Sequence, residues 1–311
     1  MHIPVLLRET VDALDVRPGG RYIDGTLGRA GHASEILRRA GPEGYLLGID
    51  RDGEALVRAA RKLEEVPGHK VLVHCEHGEM REAALENGFG AVDGVLLDLG
   101  VSSDQLDTPE RGFSFRADGP LDMRMDPSSG EPASHLVARL DLQEMTDLFR
   151  KWGEEPRAWQ AAKAIVRERE KRAIETTGEL AEIVSRALGP KNGKRHPATR
   201  IFQALRMAVN REMENLNQAL EAALGLLKPG GRLAVITFES LTDRVVKQFF
   251  VRHAGKWVSL QQGGSRWEGE LPAVERVTRH PIVAGEEELA ENPRSRSAKL
   301  RVAAKLADPK I

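Results

Sequence analysis

Residue type and spacing point most directly to chemistry in the segment Asp24-Gly25-Thr26-Leu27-Gly28-Arg29-Ala30-Gly31-His32. Glycines at 25, 28 and 31 let the backbone approach a ligand closely and take positive φ where a turn needs it. Their spacing is G-x-x-G-x-x-G, not the G-x-G-x-x-G of dinucleotide enzymes, and no G-x-x-x-x-G-K-[ST] occurs. Neither a pyrophosphate turn nor a P-loop is expected. Asp50 closes an apolar run 19 residues after Gly31, where a carboxylate can accept both hydroxyls of a ribose. A glycine turn without pyrophosphate spacing, joined to a ribose-binding acid, suggests an adenosyl ligand that lacks a pyrophosphate, and S-adenosylmethionine fits. A third acid, Asp98, ends the run Val95-Leu96-Leu97, where the transferred group would lie.

Such residues converge only if the chain places them at one edge of a sheet. Strand-like runs at Arg21–Asp24, Tyr45–Asp50, Lys70–Val73 and Val92–Leu99 alternate with helical patterns at Gly31–Ala40 and Gly53–Glu65. Apolar runs of this kind, separated by helices, predict a parallel sheet covered on both faces. Right-handed crossovers then give a doubly wound α/β fold, with ligands beyond the carboxyl ends of the strands. The alternation stops after Leu99, and 109–197 reads as a helical insertion, with Thr176 and Glu179 spaced as a capping box. It resumes with one long helix from Ala198, a strand Gly231–Phe238, a helix Leu241–His253 and a closing strand Lys299–Lys305.

At 311 residues the chain has room for roughly two domains and for a core without disulfide or metal staples. One cysteine, Cys75, forms no internal disulfide and no cysteine-rich zinc site, and no His/Asp/Glu cluster has metal-ligand spacing. Neither a leader nor a membrane-spanning run is evident, so a cytoplasmic protein is expected. The net charge of −1 excludes a polybasic nucleic-acid binder. It conceals an asymmetry: residues 1–110 hold 20 acids and 12 bases, whereas 160–212 hold 12 bases and 6 acids. That basic stretch, including Lys163, Arg167, Arg169, Lys171, Arg172, Lys191, Lys194 and Arg195, is either a solvated helical face or a surface that meets phosphates.

Longer motifs narrow the reading. The 24–32 segment, Leu97-Asp98-Leu99-Gly100-Val101-Ser102-Ser103 and Arg111-Gly112-Phe113-Ser114-Phe115 resemble the bacterial 16S rRNA (cytosine-N4)-methyltransferase family, the MraW type. So do Asp118-Gly119-Pro120-Leu121-Asp122-Met123-Arg124-Met125-Asp126, His196-Pro197-Ala198-Thr199-Arg200-Ile201-Phe202-Gln203-Ala204-Leu205-Arg206 and Glu291-Asn292-Pro293-Arg294-Ser295-Arg296-Ser297. The resemblance runs through nearly the whole chain, in order. It implies a class I S-adenosylmethionine-dependent methyltransferase, a Rossmann-like sheet domain (1–108 and 198–311) with an inserted helical substrate-recognition domain (109–197). The implied reaction is methylation of N4 of a cytidine in the decoding region of 16S rRNA, in the small ribosomal subunit.

Cofactor positions carried over by the resemblance are Ala30, Gly31, His32, Asp50, Asp98 and Gln105, with His77 where the family often has Phe. Imidazole can still stack on adenine. A second departure is Glu239, where the family usually has His. Asp98 is the expected catalytic group, accepting hydrogen bonds from a cytosine amine whose lone pair is delocalised into the ring. Phe113 and Phe115 either stack on a flipped base or plug the insertion against the sheet domain. Asp122 and Arg124 either meet substrate or satisfy one another in a loop network. Arg206 and Asn210 share a polar helix stripe with Thr199 and Gln203, set near substrate entry or merely solvated. Two competing functions remain: an assembly factor that senses S-adenosylmethionine without turnover, and a nicotinamide oxidoreductase, which the glycine spacing disfavours. Monomer and homodimer are both left open.

Overall fold

The computed structural model describes residues 4–189, 196–259, 263–268 and 271–307. Strands β1 (Arg21–Asp24), β2 (Tyr45–Asp50), β3 (His69–His74), β4 (Val92–Asp98) and β5 (Leu227–Thr237) are followed by β6 (Lys256–Ser259), β7 (Ser265–Glu268), β8 (Val274–Arg276) and β9 (Lys299–Lys305). Seven of them form one sheet in the order β3-β2-β1-β4-β5-β9-β8, in which the first five and β8 run in one direction and β9, paired between β5 and β8, runs antiparallel to both. Strand order reverses beside β1, so the β1–β4 crevice is where such a sheet opens to a ligand. This is the doubly wound α/β sheet expected from the alternating pattern, and the class I Rossmann-like arrangement that the family resemblance implies. β6 and β7 pair separately.

The chain separates into two compact units, 1–100 with 214–311, and 101–213. In the first, Val95, Leu96 and Leu97 of β4 are fully buried, as a parallel strand covered on both faces requires. The helix Gly31–Ala40 repeats Ala33, Ile36, Leu37 and Ala40 on its buried face and stops at Gly41, whose φ is +74°. That stripe and the helix Leu7–Ala13 supply one side of a core that includes Tyr22, Leu46, Ile236 and Val302.

The second unit is helical, with helices Ala133–Arg139, Leu142–Lys151, Ala158–Arg169, Thr177–Leu188 and Thr199–Val209. The capping box at Thr176 and Glu179 forms, each side chain bonding the other's backbone N–H. Two expectations need correction. The boundaries at 108/109 and 197/198 fall inside this unit, because Ala198, Ile201, Phe202, Ala204 and Leu205 pack into its core with Phe149, Ile165 and Leu180. The long helix from Ala198 is two helices, Thr199–Val209 and Glu212–Leu226, parted where Arg211 takes a φ of +48°.

β5 also begins earlier than expected. Leu227 already pairs with Val92, and Arg232 pairs with Gly94, so Lys228-Pro229-Gly230-Gly231 is an irregularity within the strand.

Candidate active site

Three carboxylates stand at the carboxyl ends of adjacent parallel strands: Asp24 on β1, Asp50 on β2 and Asp98 on β4. Register explains their placing. Asp24 is level with Gly48 and Leu96, so Asp50 and Asp98 project two residues further along their strands. The turn after β1 is stitched to both neighbours: Gly25 N–H donates to the Leu96 carbonyl and Leu27 N–H to the Ile49 carbonyl, each at 2.9 Å.

Two glycines are needed for that turn. A Cβ at Gly25 would stand 2.7 Å from Leu97 Cδ2 and 2.8 Å from Met80 Cε. Gly28 takes a φ of +51° and donates its N–H to Asp50 Oδ2 at 2.7 Å, while Asp50 Oδ1 accepts from Asp52 N–H at 2.8 Å. Burial pushes the Asp50 carboxyl above its ordinary range, opposed by these two bonds. Each oxygen keeps a lone-pair direction for a hydroxyl.

Thr26 ties β1 to β4. Its Oγ1 accepts the Asp98 backbone N–H at 2.6 Å, and its own N–H donates to Asp24 Oδ1 at 3.1 Å. Asp24 is buried; desolvation, with the Asp98 and Asp50 charges, pushes it up to about 7. Asp98 is likewise pushed up to about 7 by burial, and its Oδ1 is buried with no hydrogen-bond partner among the described residues. His32 Nε2 lies 3.0 Å from the Val5 carbonyl. A carbonyl only accepts, so Nε2 carries the hydrogen and Nδ1 is the nitrogen 3.8 Å from Asp98 Oδ2. Ala30, fully buried with a φ of +53°, caps the helix that Gly31 and His32 begin. His77 starts the 3-10 turn after β3, and its Nε2 is also buried without a partner among the described residues.

The first unit thus holds Ala30, Gly31, His32, Asp50, His77 and Asp98, all following the ends of β1 to β4. Asp24 and Thr26 belong with them and carried no role in the sequence reading, although a strand-terminal acid is the same signal that singled out Asp50 and Asp98. A glycine turn, a ribose-competent acid and unpartnered polar atoms after β3 and β4 fit an adenosyl ligand bearing a small reactive group.

The remaining candidates lie in the second unit. Gln105 is buried in a capping box with Ser102, its Oε1 accepting the Ser102 N–H at 3.0 Å. Phe113 is in the core of the helical unit, so stacking on a base is not open to it. Phe115 packs edge-on against Phe202, at 4.8 Å between centroids, and against His196 at 4.6 Å. Asp122 receives Arg124 in a bidentate pair, Nε to Oδ1 at 2.9 Å and Nη2 to Oδ2 at 2.7 Å. Burial opposes the Asp122 charge, but Arg124 holds the carboxyl below its usual range.

Asn210 is buried, donating to the Met123 carbonyl at 2.7 Å and the Arg206 carbonyl at 2.8 Å and accepting from Met125 N–H at 2.8 Å. Arg206 is buried in a bidentate pair with Glu212 at 2.7 and 2.9 Å. The expected polar stripe therefore pins the 122–126 loop and the helix end, and Arg206 and Asn210 are framework rather than substrate contacts. Gln203 is similarly engaged with the Trp152 carbonyl. Among the basic residues, Arg169 caps the Val137 and Leu140 carbonyls, while Arg167 and Arg172 remain largely exposed. Lys191, Lys194 and Arg195 lie outside the described residues.

Against known proteins, the model of the MraW methylase family matches residues 1–306. The chain belongs to this family. Members similar to it include proteins named ribosomal RNA small subunit methyltransferase H. That of Thermomicrobium roseum is 48% identical over 98% of this chain and 94% of its own length. That of Nitratidesulfovibrio vulgaris is 50% identical (98% and 95%), and that of Symbiobacterium thermophilum 49% identical (98% and 96%). As an MraW methylase, the protein is a methyltransferase with S-adenosylmethionine as its methyl donor. The oxidoreductase reading falls. Among the described residues no helix is long and apolar enough to cross a membrane.

Proposed function

We propose that this MraW methylase acts in the cytoplasm on the small ribosomal subunit, methylating N4 of one cytidine in the decoding region of 16S rRNA. Relatives matched along nearly their whole length are named small-subunit rRNA methyltransferases, which supports the substrate class. The observation that carries the reaction is the Asp98 carboxyl at the end of β4, half-buried, with Oδ1 buried and unpartnered among the described residues.

When bound, S-adenosylmethionine supplies a methyl group on a sulfonium that leaves as a neutral thioether. Asp50 and the 28–32 turn hold the adenosyl part, with His77 beside the base and Gln105 assigned from the family pattern. The cytosine amine is a weak nucleophile, since rehybridising N4 costs its conjugation with the ring. Asp98 in its carboxylate form accepts a hydrogen bond from that amine and takes its proton as the N4–methyl bond forms. A buried acceptor that is already unpartnered needs no reorganisation for this role. Thr26 fixes the β4 end through the Asp98 N–H. In the second unit, Phe115, Asp122 and Arg124 stay assigned to substrate binding, with exposed Arg167 and Arg172 on phosphates.

The test is methyl transfer from radiolabelled S-adenosylmethionine to unmethylated small subunits, naked 16S rRNA and free cytidine, with the product nucleoside identified by mass spectrometry. N4-methylcytidine from rRNA-containing substrates alone is expected. Cofactor binding with no transfer to any of them would overturn the substrate assigned here.

A further inference from the structure

His32 is the second residue of the helix Gly31–Ala40 and is buried. Its surroundings fix how the ring stands. Nε2 donates to the Val5 carbonyl at 3.0 Å, which commits the hydrogen of the neutral imidazole and leaves Nδ1 as the basic nitrogen. Val5 is held in turn: it is buried, and the next residue, Leu6, takes a φ of +52° and donates its N–H to Glu288 Oε1 at 2.8 Å. Pro4 closes over the start of the helix, where a Cβ at Gly31 would overlap Pro4 Cγ. The positive end of that helix disfavours a second proton on the ring, so the imidazole meets the site as a neutral acceptor. Nδ1 lies 3.8 Å from Asp98 Oδ2, and Thr26 fixes the backbone of Asp98. Catalytic contacts of this length tighten when the reacting groups are in place.

We propose that His32 is a positioning residue for methyl transfer, its Nδ1 receiving in a hydrogen bond from Oδ2 the hydrogen that Asp98 takes from the substrate amine. This rests on the reading that Asp98 is the acceptor of the amine proton. The N4–methyl bond forms as the sulfur–methyl bond breaks, with that electron pair left on sulfur. N4 gives its proton to Asp98, and the carboxylic acid so formed turns the hydrogen toward Nδ1 until it leaves to solvent. Stabilising the acid form makes Asp98 a stronger base, which a weakly nucleophilic amine requires. Ionisable groups around the pair include Asp24 on β1, whose carboxyl feels the Asp98 and Asp50 charges, Glu288 at the Leu6 N–H and exposed Arg29 in the turn. The acids add to the site's affinity for a proton, and none of these groups changes in the substitutions below.

The experiment is single-turnover methyl transfer to small subunits over pH 5.5–9 by wild type, His32→Gln and Asp98→Asn, with S-adenosylhomocysteine affinity measured on each preparation. The glutamine amide still donates to the Val5 carbonyl but sets no basic nitrogen beside Oδ2. His32→Gln is expected to keep its affinity within about 3-fold and to shift the midpoint of the rate–pH profile down by about one unit, the worth of one hydrogen bond. Its plateau rate should fall about 3–10-fold, as a base weakened by that much requires. In wild type alone, ¹⁵N spectra should show His32 as the Nε2–H tautomer, with an Nδ1 resonance that moves at the midpoint of the rate profile, a readout independent of how the variants fold. An unmoved midpoint in His32→Gln, or a His32 carrying its hydrogen on Nδ1, overturns the proposal. Full turnover by Asp98→Asn overturns the underlying reading instead. The two failures are separable, because a slow Asp98→Asn beside a His32→Gln that matches wild type strikes the role of His32 alone.

Discussion

Asp98→Asn separates the two properties this carboxyl combines, and the stability side can be worked from its surroundings. Burial raises the native carboxyl from 3.8 to about 7. The native state then binds its proton more tightly than the unfolded chain, so stability owed to this group falls as pH rises from about 4 and is fully lost above about 7. Taken whole, that difference corresponds to about 4 kcal/mol at 1.36 kcal/mol per pH unit. The side chain is 27% exposed, and water on its open side screens the charge. An effective cost of about 1–2 kcal/mol above neutrality is expected. The neutral amide does not carry it, so the variant should melt about 2–6 °C above wild type at pH 8. The difference should shrink as pH falls and close only at about pH 4, where the unfolded carboxyl is protonated too. Thermal melts of both proteins across pH 4–8.5, compared as differences, remove the titrations that the two share. A variant less stable than wild type at pH 8, or a difference independent of pH, would refute the reasoning.

Other consequences follow from the same contacts. On the proposed role of Asp98 as acceptor of the amine proton, single-turnover rates should climb with pH to a plateau above about 7; a flat profile over pH 5.5–8 contradicts that role. Thr26→Val deprives the Asp98 N–H of its acceptor, and denaturant melts should show about 1–3 kcal/mol lost. Asn210→Ala leaves Met125 N–H and the Met123 carbonyl unpartnered by that amide. Hydrogen exchange should accelerate at residues 122–126, with about 2–4 kcal/mol lost in denaturant melts; unchanged exchange there would remove the clamp role.

The sheet half was legible because buried parallel strands read as unbroken apolar runs. β1, β2 and β9 begin and end where the pattern sets them. Asp50 and Asp98 were legible for the same reason, as acids terminating such runs. The helix Leu7–Ala13 and strands β6 to β8 were not, since runs of three to seven residues with mixed polarity carry no clear period.

At 198–213 the apolar positions Phe202, Leu205, Val209 and Met213 keep helical spacing past the break, and only the capture of the Arg206 carbonyl by the Asn210 amide and the turn at Arg211 mark it. Phe113, Arg206 and Asn210 illustrate a different limit. Aromatic, arginine and amide side chains serve recognition and framework equally well. What separates the uses is burial and partners, as in the Arg206–Glu212 pair, which one-dimensional spacing does not contain. Phe115 and the Asp122–Arg124 pair are engaged with neighbours yet partly open, so their partners alone do not separate the two uses.

The most direct test of the central claim is single-turnover methyl transfer to small subunits by Asp98→Asn, with S-adenosylhomocysteine affinity measured on the same preparation. The account predicts a rate about 10²–10⁴-fold below wild type with affinity changed by no more than a few fold. Full turnover with normal affinity would show that Asp98 takes no part in activating the cytosine amine.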